Sequence, residues 1–279
     1  MRRRFAAGRV ARGIALLVLL LSGCVAATPP ADTSPAVSGP AVTGKVTVYA
    51  ASSLTDAFRA IAASFQQAHP GTTVEFNFGA SSALAAQLEQ AAPADVFASA
   101  DAATMQRAVD RALIDGSPVT FARNLPVVVV PADNRAGIAT PKDLAKAGVK
   151  IVLAGPEVPI GNYARQIIDR LAADPAYGAA FREATLKNIV SNEANVRAIL
   201  TKVELGEADA GVVYRTDALA SGARVRTVAV PDSTNVIASY PIAVVRAAKN
   251  RAAAAAFIAF VRGVEGQRIL KAAGFDAAS

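Results

Sequence analysis

The chain has 279 residues, 53% hydrophobic but only 6% aromatic, enough for one large or two medium domains with cores of Val, Ile, Leu and Ala. Its 29 Lys and Arg outnumber 22 Asp and Glu, but Arg2, Arg3, Arg4, Arg9 and Arg12 all fall in the first 23 residues, which carry no acid. Beyond residue 23 the balance is nearly even, so the charge excess does not argue for a nucleic-acid partner, and the single cysteine, Cys24, excludes internal disulfides and thiolate metal sites.

The N-terminus reads as a targeting segment. A basic stretch leads into the apolar run Ile14 to Leu21, and Leu21-Ser22-Gly23-Cys24 follows as a bacterial lipobox. Residues 1–23 are expected to be a lipoprotein signal peptide, with Cys24 lipidated as a membrane anchor rather than acting as a nucleophile. Residues 24–44, rich in Ala, Thr, Pro, Ser and Gly, read as a flexible tether. No later apolar run is long enough to cross a bilayer.

Strand and helix patterns then alternate. Val46 to Ala50 reads as a strand, and Leu54, Phe58, Ile61 and Phe65 recur at helical spacing. Val74, Phe76 and Phe78 alternate with polar residues as a second strand; Leu84 and Leu88 mark a helix; Asp95 to Ser99 is a third strand. Asp101 is the expected N-cap of a helix through Met105, Ala108 and Ala112. A second series opens at Leu125 to Val130. Thr140-Pro141-Lys142-Asp143 predicts a helix start. Lys150 to Ala154 and Leu186 to Val190 read as strands, with helical faces at Tyr163, Ile167, Ile168 and Leu171 and at Val196, Ile199, Leu200 and Val203, the latter ended by Gly206. Ala210 to Tyr214, Val225 to Val230 and Tyr240 to Val245 are further strands, before an Ala-rich helix around Phe257, Phe260 and Val261. Such alternation predicts an α/β protein of two lobes, each a mainly parallel sheet flanked by helices, with a ligand cleft at the strand C-termini.

Two strand-to-helix junctions, Ala50 to Asp56 and Phe78 to Leu84, share small polar residues, and two later loops, Pro156 to Tyr163 and Ser191 to Val196, also follow strands and precede helices and so offer main-chain amides. Helix starts leave main-chain N–H groups unsatisfied and carry partial positive charge, so they bind anions without Lys or Arg. The same serines also suit ordinary N-caps, and Ser53 with Asp56 fits a capping box. Tyr214 is open to two readings, a packed strand-end ring or a hydroxyl facing the cleft. His69, the sole histidine, reads as a solvated turn residue, and Glu193 as a first-turn acid or a carboxylate beside an anion. Motifs for metalloproteases, Walker loops, nucleophile elbows and dinucleotide binding are absent from the sequence.

The chain resembles molybdate-binding proteins of the type II periplasmic-binding-protein fold. The resemblance rests on Val48-Tyr49-Ala50-Ala51-Ser52-Ser53-Leu54-Thr55, Gly79-Ala80-Ser81-Ser82, residues 87–101, Pro159-Ile160-Gly161, Ala210 to Ala218, Tyr240 to Val244 and Ala273-Gly274-Phe275, and covers essentially residues 45–275. It implies an extracytoplasmic solute-binding protein, not an enzyme, that delivers molybdate and also tungstate to an ABC permease, with sulfate or another tetrahedral oxyanion as the alternative. It further implies a monomer tethered to the membrane by lipid, with no cofactor and no direct protein–metal bond, molybdenum being held through its oxo oxygens. The family's oxyanion donors fall on the hydroxyl and N–H of Ser53 and Ser81, the amides of Ile160 and Val196, and the hydroxyl of Tyr214. The implied lobes are 45–123 with 239–279, and 124–238, with the chain crossing near Asn124 and Ser239.

Overall fold

The alternating apolar run after residue 44 forms β1 (Gly44–Ala51), and the helical stripe after it forms α1 (Thr55–Ala68). In the computed structural model, which describes residues 42–278, Leu54, Phe58, Ile61 and Phe65 lie on one fully buried face. Burying each such side chain is worth about 1.5–3 kcal/mol. Phe58 and Phe65 pack edge-on against Phe257 of α8 (Arg251–Arg262), with ring centroids 6.0 and 5.4 Å apart. His69 caps the end of α1, and its half-buried ring lies 4.6 Å from Phe65 rather than standing free in solvent. The leader, Cys24 and nearly all of the tether lie outside the described residues.

The first sheet has the order β2-β1-β3-β10-β4, with β2 (Thr72–Gly79), β3 (Val96–Ala98), β4 (Ile114–Asn124) and β10 (Ala238–Val245). The second has the order β7-β6-β8-β5-β9, with β5 (Pro126–Pro131), β6 (Ile151–Ala154), β7 (Ile189–Glu193), β8 (Ala210–Tyr214) and β9 (Val225–Val228). Each sheet is mainly parallel with one antiparallel strand, β10 in the first and β5 in the second. These are the strands that the chain enters directly from the other sheet. A strand that ends at the face between the sheets is followed by one that begins there, so its direction reverses. Together the two sheets and their flanking helices make the two α/β lobes expected from the alternation of strands and helices.

Helices cover both faces of the first sheet. On one, α2 (Ser81–Glu89) and α3 (Ala102–Asp110) bury Leu84, Leu88 and Met105 against Phe97. On the other lie α1, α8 and α9 (Val264–Ala272), a helix that the apolar pattern did not announce. In the second sheet α4 (Pro159–Ala173) and α6 (Val196–Glu204) pack on β6 and β8. Gly211 of β8 permits the close approach of α6: a Cβ there would sit 2.6 Å from Ile199 Cγ2.

Three departures from the sequence reading have local causes. β4 contains Gly116 and Pro118 and pairs irregularly with β10, features that hide a strand in sequence but are tolerated at a sheet edge. Leu186 belongs to α5 (Phe181–Lys187), and the strand begins only at Ile189, because a short apolar run does not distinguish a helix end from a strand start. The capping box of Thr140 and Asp143 forms as expected, but the turn that it starts is a 3-10 segment ending at Ala145. Elsewhere Asp101 caps α3 by accepting from the Thr104 N–H at 2.9 Å, and Gly206, at φ +70°, closes α6.

Candidate anion site

Four helix starts and one strand end converge on a small cavity lined by Ser53, Ser81, Ile160, Val196 and Tyr214 together with small or apolar neighbours such as Ser52, Ala80, Ala100 and Val158. Charged residues are absent from the lining. A broader depression lies elsewhere, among Asp133, Arg135, Glu204 and Arg224, but there the charged side chains already pair with one another, Arg135 with Asp133 and Arg224 with Glu204.

In the first wall, β1 passes into α1 through a 3-10 turn, Ser52–Leu54, whose N-cap is Ala51 and which has no side-chain cap. Ser53 is therefore not the cap of a capping box with Asp56. Its Oγ lies 2.9 Å from the phenol oxygen of Tyr240, both groups buried. Ser81 is likewise inside its helix, after the N-cap Ala80, and makes no cap bond. Its Oγ instead accepts the Ala100 N–H at 2.9 Å. A hydroxyl that accepts from one side keeps its own proton to donate on another. Ser81 is thus left free to donate, and Ser53 is free to donate when Tyr240 is the donor of their shared bond.

The second wall is built differently. α4 has Pro159 at its first position, so the first free amide belongs to Ile160. Gly161 lets the helix start approach the end of β6: a Cβ there would sit 2.1 Å from the Gly155 carbonyl oxygen and 2.5 Å from that of Ala154. Arg165 ties the same turn down by donating to the carbonyls of Ala154 and Gly161, both at 2.8 Å. In α6 the Asn195 side chain caps the N–H groups of Arg197 and Ala198 at 3.0 and 3.1 Å, passing over that of Val196, the first helical residue.

Tyr214 completes this wall at the end of β8. Its ring is fully buried between Tyr163 and Tyr240, at centroid distances of 6.5 and 5.7 Å, yet its hydroxyl has no hydrogen-bond partner. Leaving such a group unsatisfied costs about 1–3 kcal/mol. Burial first, and then the neighbouring Tyr240, Tyr163 and Asp101, push its pKa well above the ordinary tyrosine value, so the group stays protonated. It is a neutral donor on a residue that lines a cavity without charged side chains.

Charges stand just outside. Arg197 reaches Asp56 at 2.6 Å and Asp217 at 2.9 Å. Asp217 is fully buried, and burial pushes its pKa up to about 6 against the opposing pull of Arg197 and the Tyr214 N–H. Glu193 does not line the cavity. Its carboxylate pairs with Lys202 at 2.6 Å, and although burial raises its pKa, Lys202 and Ser191 outweigh that and lower it. The sequence reading missed Tyr240, the Ala100 amide and Arg197, since nothing local marks a residue whose partner lies on another element, 187, 19 and 141 positions away.

Residues 46–276 match the family model described as bacterial extracellular solute-binding protein. The molybdate-binding protein ModA of Mycobacterium tuberculosis (strain H37Rv) is 40% identical, over 92% of this chain and 94% of that protein. Among solved structures, the Azotobacter vinelandii periplasmic molybdate-binding protein superposes with a TM-score of 0.71 at 22% identity, covering 82% of this chain and 98% of its own. The sulfate-binding protein SubI of Mycobacterium tuberculosis superposes with a TM-score of 0.75 at 20% identity, covering 85% and 88%. At these identities the two structures speak for the fold alone.

Proposed function

The chain belongs to the bacterial extracellular solute-binding proteins, and from that premise we propose that it captures molybdate outside the cytoplasm and delivers it to an ABC permease. The observation that carries this is the Tyr214 hydroxyl, buried, protonated and unpartnered in a cavity without charged side chains. The 40% identical relative, a molybdate-binding protein, supports the choice of anion.

Molybdate is a tetrahedral dianion with four accepting oxygens and no proton to give at neutral pH. The hydroxyls of Ser53, Ser81 and Tyr214 and the main-chain N–H groups of Ser53, Ser81, Ile160 and Val196 replace its hydration shell. Charge-assisted bonds contribute about 1.5–3 kcal/mol each, enough in sum to compete with water. Helix starts add favourable potential without burying a counter-charge. Tungstate has the same shape and charge and is taken as a second ligand, held like molybdate through its oxygens. A protonated oxyanion is disfavoured because its hydrogen would face only donors. Sulfate is smaller and leaves the two walls short of contact.

Capture involves no bond making in the anion, so the protein acts as a binding module without a cofactor and not as an enzyme. Residues 45–123 with 239–279 form one lobe and 124–238 the other, closing on the anion about the crossings near Asn124 and Ser239. The chain works as a monomer, anchored by lipid at Cys24 after removal of residues 1–23, with residues 24–44 as the tether.

A thermal-shift series with sodium molybdate, tungstate, sulfate and phosphate tests the reading, since a ligand that binds only the folded state raises the melting temperature. Molybdate and tungstate are expected to raise it at micromolar concentration, and excess sulfate to leave molybdate titrations unchanged. An equal shift with sulfate, or none with molybdate, overturns the assignment.

A further inference from the structure

We infer that Arg197 is a positioning residue whose ion pair with Asp56 clasps the two walls of the anion cavity together and sets how long the anion stays. The inference rests on the anion-capture reading above. Three charged residues follow closely on three of the proposed donors. Asp56 stands three residues after Ser53 on α1, which packs on the first sheet. Arg197 stands next to Val196 on α6, which packs on the second. Asp217 stands three residues after Tyr214 and accepts the Tyr214 N–H at 3.3 Å. The guanidinium of Arg197 therefore links helix turns that carry donors from opposite walls.

The two contacts of Arg197 differ in kind. Its Nη2 donates to Asp56 Oδ2 at 2.6 Å, and both side chains are partly open to solvent, 31% and 56% exposed. Its Nε lies 2.9 Å from Asp217 Oδ1, but out of line for a hydrogen bond, so both atoms stay unpartnered in that sense. Asp217 holds the arginine electrostatically on its own wall, while Asp56 supplies the aligned bond across the gap. Because the pair is half solvated, it is worth at most about 1 kcal/mol, which is a reversible latch rather than a lock. The same placement keeps the cation out of the cavity itself, where direct contact with a dianion would oppose release.

A latch that opens and closes readily without the anion, and stays closed over it once bound, acts mainly on dissociation and changes association little. Stopped-flow measurement of molybdate binding by tyrosine fluorescence (the chain has no tryptophan) reads both rates. Asp56→Asn and Arg197→Gln are each expected to raise the dissociation rate about fivefold, with association within twofold. The double variant should release no faster than the single ones, and Asp56→Glu should restore most of the slow release. The ligand-free melting temperature of Asp56→Asn should stay near that of the parent, separating a latch from a fold contact.

A second measurement needs no ligand. Spin labels at Gln90→Cys, beyond α2, and Ala173→Cys, at the end of α4, in a Cys24→Ser background, report the distance between the halves. Adding Asp56→Asn is expected to shift the ligand-free distribution to longer distances. An unshifted distribution overturns the clasp whether or not molybdate binds, and an unchanged dissociation rate overturns it where molybdate does. Failure of the labelled parent to bind molybdate, with the shift present, sinks the anion assignment and leaves the clasp standing.

Discussion

The two walls of the cavity hold their hydroxyls in opposite conditions. On the first, Ser53 and Ser81 are already engaged, by Tyr240 and by the Ala100 amide. On the second, the Tyr214 hydroxyl is equally buried and engaged by nothing. The first wall is completed by folding, and its polar groups help to hold the fold. The second carries a hydroxyl that folding leaves unsatisfied and that, on the proposed reading, an arriving anion satisfies. The contrast separates stability from affinity: a first-wall donor serves both, and the Tyr214 hydroxyl only the second.

The sharpest way to break this contrast is Tyr214→Phe. Removing one hydrogen bond to a charged ligand should weaken molybdate binding by about 10- to 150-fold. The ligand-free protein should melt at the same temperature or higher, because the variant removes a buried group that has no partner. Calorimetric titration and a melting curve of the same sample check both. A lower ligand-free melting temperature would show the hydroxyl to be structural after all.

Ser81→Ala should behave otherwise, with a smaller separation between the two properties. It strips the acceptor from the buried Ala100 N–H, which costs about 1–3 kcal/mol of stability, and removes a donor to the anion. Denaturant unfolding should therefore shift together with affinity. Weaker binding at undiminished stability would put both walls in the same class.

The smallest effect on affinity is expected from the charges outside the cavity. The pKa of Asp217 is raised in the fold, so between about pH 4 and 6 the folded protein keeps a proton that the unfolded chain has released. The stability that this contributes is present at low pH and lost as pH rises through about 6. Its size is on the order of 3 kcal/mol. Asp217→Asn, which cannot ionise, should gain stability relative to the parent by that amount between pH 4 and 7. Unfolding curves across this range check it, and parallel pH profiles would refute the burial argument.

Much of this architecture was legible in the residues. The alternation of apolar runs announced both sheets, the small polar junctions pointed to the helix starts at Ser53 and Ser81, and the family resemblance supplied all five residues that the fold brings to one cavity. The same local reading admitted Ser53 as an N-cap paired with Asp56 and Tyr214 as a packed strand end. Neither ambiguity was local in origin. Asp56 is taken by Arg197, 141 positions away, and Ser53 by Tyr240, 187 positions away.

By itself, then, the order of amino acids determined which segments become strands and helices and which amides are left free at helix starts. Those outcomes depend on side-chain periodicity and on backbone groups only a few residues apart. Only the tertiary structure decided that the helix starts meet, that Arg197 stays outside the cavity lining, and that of two buried tyrosines, Tyr240 is satisfied and Tyr214 is not. A hydroxyl's freedom depends on what packs within about 3 Å of it, and in a folded chain that neighbour comes from any distance along the sequence.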